Sequence, residues 1–186
     1  PVLILAGCAP VAGPERGPDG RPMRLATNPS AVIAAEIAFA RLALDKGQWT
    51  AFRDTAAADG ELFVPQRVLA QTWLKGRADP PVPVKWQPHE VWMSCDGQFG
   101  VTRGAWQRPT SVGYFTTVWR REKNGDFKWV LDQGDALPQA LPAPEMIAAK
   151  VADCGKGATP LPAAPLAQGA DSKVDRSPDM SLQWTS

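Results

Sequence analysis

The stretch from Trp86 to Asp135, WQPHEVWMSCDGQFGVTRGAWQRPTSVGYFTTVWRREKNGDFKWVLDQGD, limits what this chain can fold into more than any other part of it. It holds two dipeptides, Asp96-Gly97 and Asn124-Gly125, that tolerate positive φ at both central positions of a tight hairpin turn. Aromatic and β-branched residues flank each of them, so the stretch reads as four antiparallel strands in two hairpins. Five of the eight tryptophans lie within it.

Two-residue loops fix a register. They predict Trp92 opposite Val101 and Glu90 opposite Arg103 in the first hairpin, the latter an opposite-charge cross-strand pair. In the second they predict Trp119 opposite Val130, Thr117 opposite Asp132 and Tyr114 opposite Asp135. One face of the first hairpin then gathers His89, Val91, Met93 and Cys95 with Thr102 and Trp106. The other gathers Glu90, Trp92 and Ser94 with Phe99, Val101 and Arg103, so both faces are partly apolar and both are expected to be partly covered. Asp132 shares a face with Phe115, Trp119 and Val130. A carboxyl among aromatic rings loses solvation unless something donates to it, and the facing Thr117 hydroxyl is the expected donor.

A chain of 186 residues with 44% hydrophobic and 21% charged residues is enough for one ordinary domain with tails. Twenty basic against nineteen acidic residues leave a net charge of +1, so no overall field favours nucleic acid or an anionic surface. No Gly-rich phosphate loop joins a strand to a helix, and a single histidine does not assemble a Ser/His/Asp order. Three cysteines without CxxC spacing and one histidine make a metal site unexpected, and no cofactor is expected.

The N-terminal run PVLILAGC ends in Leu5-Ala6-Gly7-Cys8, which resembles the lipobox of bacterial lipoprotein signal peptides. That resemblance implies lipid attachment at Cys8, an apolar signal segment whose charged start lies before Pro1, and, with Ala9 following the cysteine, a periplasm-facing outer-membrane protein. A buried strand is the alternative reading. Acylation anchors a protein without spanning the bilayer, and no other stretch approaches the ~20 apolar residues that a span requires. In an oxidising compartment the remaining pair, Cys95 and Cys154, is expected to form a disulfide, with two separate buried thiols as the alternative.

Residues 9–22 are rich in proline, glycine and charge and read as a flexible tether. The domain is expected over 23–136. Asn28 as N-cap and Pro29 at the first turn start a helix that runs to Lys46 and ends at Gly47, with Ile33, Ile37, Ala40 and Leu44 as its core stripe. Glu36 borders that stripe and is expected to be solvated. A second helix over 48–58 is broken by Asp59-Gly60, a short strand spans Glu61 to Val64, and a third helix covers Val68 to Lys75 with Leu69, Trp73 and Leu74 inward. Pro80, Pro81 and Pro83 force an extended crossing into the four strands. Residues 137–186 form a Pro/Ala-rich extension, with a short amphipathic helix over Glu145 to Asp153 and a strand over Met180 to Thr185.

Helix, helix, short strand, helix, then a meander of long strands resembles the element order of the nuclear transport factor 2-like superfamily. Ala35 to Gly60, Phe63-Val64-Pro65, Trp86-Gln87-Pro88, Gly100 to Gly104, Gly113-Tyr114 through Trp119, and Trp129 to Asp132 resemble its SnoaL-like branch. The resemblance covers about residues 28 to 136 and implies an α+β cone, a curved antiparallel sheet wrapped onto three helices. Glycines at 97, 100, 104 and 113 suit the bends of such a sheet. A cone open at one end leaves a cavity with aromatic walls, the usual setting for a small-molecule site.

Three functions follow. The first is a binding module holding a small apolar or aromatic molecule among Trp92, Trp106, Tyr114, Phe115, Thr117, Trp119 and Arg103. The second, implied by superfamily enzymes such as ketosteroid isomerase and scytalone dehydratase, is an isomerase or dehydratase with Asp132 as general base and His89 or Tyr114 polarising a substrate oxygen. Tyr114 falls on the opposite face from Asp132, which counts against it. The structural alternative for Asp132 is an acid tied to Thr117 or a backbone amide. The third is an interaction module that pairs with another copy through a sheet face.

Overall fold

The computed structural model describes residues 27–154 and 172–186. The lipobox with Cys8 and the tether lie outside the described residues. The chain begins with two helices, α1 (Ser30–Lys46) and α2 (Gln48–Thr55), followed by β1 (Ala56–Phe63), β2 (Arg67–Leu69) and the short α3 (Ala70–Leu74). The meander is β3 (Lys85–Met93), β4 (Phe99–Arg108), β5 (Ser111–Arg121) and β6 (Phe127–Leu137). Three short strands close the series: β7 (Ala148–Val151), β8 (Val174–Arg176) and β9 (Gln183–Thr185).

Seven strands form one sheet in the order β2-β1-β6-β5-β4-β3-β7, and β8 with β9 forms a separate hairpin. The three helices pack on one face of the curved sheet, so the architecture is the α+β cone expected above. The sheet is mixed rather than purely antiparallel. The meander is antiparallel, but β1 joins β6 and β7 joins β3 in parallel.

The first hairpin takes the expected register, with Trp92 opposite Val101 and Glu90 opposite Arg103. Gly97 supplies the turn with φ of 69°. The register then slips at a bulge between Pro88 and Glu90. In the second hairpin Thr117 faces Asp132 and Tyr114 faces Asp135 as expected, but Trp119 faces Trp129 instead of Val130. The turn there is longer than two residues: the Glu122 amide donates to Asp126 and the Gly125 amide to Glu122. The extra residue is absorbed by a bulge between Val118 and Trp119. Trp129 therefore lies in the inner core, while Val130 packs with the outer cluster.

Several local expectations give way to pairing. Residues 56–58 are strand, not helix, because β6 offers a parallel partner, with Ala56 opposite Trp129 and Leu62 opposite Asp132. Asp59-Gly60 sits in the irregular middle of β1 instead of ending a helix. Val68 and Leu69 pair with Leu62 and Glu61, which shortens the third helix and leaves Leu69 54% exposed. The helix expected over Glu145 to Asp153 is replaced by β7. A helix that short is marginal by itself, whereas β3 offers an unpaired edge, and Glu90 to Met93 take Ala148 to Val151 in register.

The core stripe of α1 is offset by one position from the expected one. Val32, Glu36, Phe39 and Ala43 are buried, while Ile37 and Leu44 stand 42% and 49% exposed. Gly100 lets α1 approach β4 closely, since a Cβ there would come within 2.8 Å of the Val32 side chain. The inner core joins these residues to Leu62, Val91, Met93, Trp119 and Trp129. On the outer face Val101, Val118 and Leu131 form a second cluster with Trp92 and Phe99, and the β8–β9 hairpin covers it. Trp184 stacks on Phe99 at 5.4 Å. The Cys95 and Asp96 amides donate to Ser181 and Asp179, each at 2.8 Å, which ties the hairpin to the Asp96-Gly97 turn.

Cys95 and Cys154 are joined in a disulfide with Cα atoms 5.5 Å apart, fastening the chain after β7 to the end of β3. The two cysteines are 59 residues apart in sequence, a loop whose closure restricts the unfolded chain by about 4 kcal/mol. Reduction, or Cys154→Ser, is expected to lower the unfolding free energy from urea titration by most of that amount, with a matching fall in the urea midpoint. An unchanged midpoint with and without dithiothreitol would contradict a structural role for the bridge.

Candidate functional site

A cavity of about 220 Å³ opens between α2, the start of β3 and the inner face of β4 to β6. Trp49, Phe52, Phe63, Trp86, Trp106 and Phe115 supply aromatic wall, and Leu62, Val64 and Val84 supply aliphatic wall. Its polar lining consists of Gln48, Arg108, Asp132 and Gln133. Trp86 and Trp106 are cross-strand partners on β3 and β4. Trp106 lies flat over Gly113 of β5, where any Cβ would fall inside the indole. The Arg108 guanidinium sits 5.6 Å from the Trp106 ring centroid at the cavity wall.

Asp132 is the carboxyl of this cavity. β6 brings it opposite Thr117, whose hydroxyl donates to Oδ2 at 2.9 Å. Burial pushes the Asp132 carboxyl up to about 7; the Thr117 hydroxyl opposes the shift and the nearby Glu36 adds to it. At neutral pH such a group is divided between acid and carboxylate, so it can take a proton or give one.

Glu36 lies deeper, wholly buried on α1. Its Oε1 accepts from Trp86 Nε1 at 2.7 Å, and its Oε2 accepts from Trp119 Nε1 at 3.0 Å and from the Thr102 hydroxyl. Burial raises the Glu36 carboxyl above its ordinary range, against the pull of these donors. The Thr102 hydroxyl can serve either protonation state, because it also lies 3.3 Å from the Thr117 carbonyl and can pass its own proton there. Glu36 thus holds the Trp86 indole that lines the cavity.

The fold brings together only some of the residues expected from sequence. Asp132, Trp106 and Phe115 line one cavity, with Thr117 bonded directly behind Asp132. Trp119 is buried at the Glu36 network and does not line the cavity with Asp132. His89 is the bulged residue of β3, and it lines a neighbouring cavity of about 240 Å³ beside Gln87. Trp86 and Trp106 line both cavities. Trp92 belongs to the outer-face cluster, Tyr114 alternates to the side opposite Phe115, and Arg103 is exposed. Among the described residues no group of His, Cys, Asp and Glu could hold a metal ion.

Sequence reasoning missed Glu36, Gln48, Phe52, Trp86 and Arg108 as parts of this region. Glu36 had a signal, since it continues the Val32, Phe39, Ala43 stripe at helical spacing. Trp86 could be placed opposite Trp106 only with the bulge known. Gln48 is the first residue of α2 and carried no signal.

No protein-family model matches the chain, and no curated protein matches it. Solved structures do. A ketosteroid isomerase-like protein from Erwinia carotovora atroseptica matches with 16% identity and a TM-score of 0.46, over 60% of this chain and 97% of that one. An NTF-2 like protein of unknown function from Silicibacter pomeroyi matches with 11% identity and a TM-score of 0.42, over 58% and 94%. A cystatin-like fold protein from Burkholderia xenovorans matches with 14% identity and a TM-score of 0.46, over 61% and 92%. At this distance the likeness assigns no role to any residue here.

Asp132 and Glu36 bind protons more readily in the folded state than in the unfolded chain. Their contribution to stability is therefore greatest at acid pH and is lost as pH rises, for Asp132 between about 4 and about 7. The thermal midpoint is expected to fall across that window, and Asp132→Asn is expected to flatten part of the fall. Parallel curves for the two proteins would refute the raised Asp132.

Glu36→Ala leaves the Trp86 indole without its acceptor and Trp119 with only the Thr102 hydroxyl, and is expected to cost about 1–3 kcal/mol. Glu36→Gln keeps one acceptor oxygen and is expected to cost less, as denaturant unfolding would show.

Proposed function

We propose that this domain takes up a small apolar or aromatic molecule in the cavity beside α2 and meets its polar part with Asp132. One observation carries the reading: a concave space walled by six aromatic side chains holds a single carboxyl poised near neutrality. At about 220 Å³ the space is smaller than the ~300 Å³ at which drug-sized pockets begin, so it suits one or two fused rings.

Fused-ring probes such as indane, indole and naphthalene test this. At least one is expected to quench the tryptophan emission and to raise the thermal midpoint, by an amount corresponding to about 2.7 kcal/mol at one hundred times its Kd. Val64→Trp, which fills the space from its aliphatic wall, is expected to weaken binding tenfold or more. A panel that neither quenches nor stabilises would overturn the proposal.

A second reading is favoured by the raised Asp132 itself. A carboxylate with a pKa near the working pH is suited to general-base proton abstraction. In that reading Asp132 takes a proton from a carbon next to a carbonyl, the electron pair moving to the carbonyl oxygen. His89, in the neighbouring cavity, has no part in it. Deuterium exchange at the α-carbons of 2-tetralone, present in the wild type and lost in Asp132→Asn, would support it, and equal exchange in both would remove it.

The setting we propose is the periplasmic face of an outer membrane, with lipid on Cys8. The lipobox pattern of Leu5 to Cys8 and the Cys95–Cys154 disulfide, which suits an oxidising compartment, support it. No helix among the described residues is long and apolar enough to cross a membrane. Self-association through the sheet receives less weight, because β8–β9 already covers the apolar outer face.

A further inference from the structure

We infer that Gln48 is the residue that selects the ligand of this cavity, by donating a hydrogen bond from its carboxamide to an acceptor oxygen on an otherwise apolar molecule. The inference rests on the proposed use of the cavity for binding, and it adds a chemical requirement that the cavity's shape alone does not impose.

Gln48 opens α2 and is 4% exposed, yet it lines the cavity. Its Oε1 accepts from the Val84 amide at 3.2 Å. That contact sets which way the amide group faces: a backbone N–H can only donate, so the oxygen must meet it and the NH₂ must take the other side. Among the described residues Nε2 donates to none. No side-chain polar atom among the described residues is both buried and without a partner, so Nε2 meets the water of the cavity until a ligand displaces it, and the cost of an unmet donor arises only when that ligand offers no acceptor.

The rest of the lining sharpens the choice. Trp86 Nε1 is already committed to Glu36. Arg108 is exposed, so its charge is solvated before any ligand arrives. The indoles of Trp49 and Trp106 and the carboxamide of Gln133 are only partly buried, so water already reaches them. Gln48 is thus the most buried donor of the cavity left for a ligand, and Asp132 is its counterpart as acceptor or shared-proton group. A purely hydrocarbon ligand would leave Nε2 unpaired, whereas one with a carbonyl, ether or hydroxyl oxygen would satisfy it. Selectivity of this kind comes from the penalty of an unmet buried group rather than from added contact area.

The probes are 1-indanone and indane, which share a ring frame and differ in one carbonyl oxygen. The measurements are fluorescence titration and side-chain amide NMR on the wild type, Gln48→Met and Arg108→Met, at pH 9, where Asp132 is ionised and cannot donate. The wild type is expected to bind 1-indanone about tenfold more tightly than indane, the worth of one satisfied hydrogen bond. Gln48→Met, with its fold checked by circular dichroism, is expected to lose that preference while still binding indane. Arg108→Met is expected to keep it. In the wild type the Gln48 NH₂ resonances are expected to shift on adding 1-indanone and to stay in place with indane, a readout that needs no variant to fold.

Equal affinity of the wild type for the two probes, or unmoved Gln48 resonances with 1-indanone bound, would overturn the inference and leave the cavity as a binding site. A preference that survives Gln48→Met or vanishes in Arg108→Met would overturn it as well. Binding of neither probe would overturn the inference together with the binding proposal on which it stands.

Discussion

The three-donor cradle around Glu36 is the interaction on which the interior of this protein depends. An acid on the buried side of α1 would ordinarily be intolerable, because the loss of its solvation exceeds what apolar packing around it returns. Here two indole N–H groups and a threonine hydroxyl, from β3, β4 and β5, converge on it. Each donor would itself be costly if left unmet in the core. The helix and the sheet therefore fit in one rotational setting, and a turn of α1 that placed Ile37 inward would leave the Trp86 indole without its acceptor and take the carboxylate from Trp119 and Thr102.

That setting reaches the cavity through two routes. Trp86, held by Glu36, is cavity wall, so the acid in the core fixes the position of an aromatic face that a ligand would touch. Asp132 also feels Glu36 directly, since the charge on Glu36 adds to the rise in the Asp132 proton affinity. The cavity is thus backed by a polar network, while its lining also carries the buried Gln48 of α2 and the exposed Arg108 of β4, which come from different parts of the fold. A pocket built this way has fixed walls and a few directional polar groups, the arrangement that gives small-molecule sites their selectivity.

The outer face shows the opposite solution to the same problem. A curved sheet that exposes Val101, Val118, Leu131, Trp92 and Phe99 would present a contiguous apolar patch. The β8–β9 hairpin covers it, anchored by Trp184 on Phe99 and by side-chain acceptors for the amides of the Asp96-Gly97 turn. The disulfide and β7 close the β3 edge beside it. Among the described residues β7 extends the sheet and β8–β9 covers its outer face, though the composition of this part of the chain had suggested an appendage.

Sequence by itself determined the four meander strands, the first-hairpin register, the pairing of Thr117 with Asp132, the start and end of α1 and the α+β class. These follow from turn dipeptides, alternation and capping, which are local. It also marked Asp132, because a carboxyl in an aromatic strand is rare. Tertiary structure alone decided the rest. The bulges at His89 and Val130 moved side chains between faces, since one residue of slip inverts a strand's alternation. β7 and the start of β1 became strands because an open sheet edge competed with helix formation, and such an edge is visible only once the sheet exists. Glu36 and Gln48 could not be placed from pattern, because burial of a polar group is permitted only by partners distant in sequence, and those partners are brought to it by the fold.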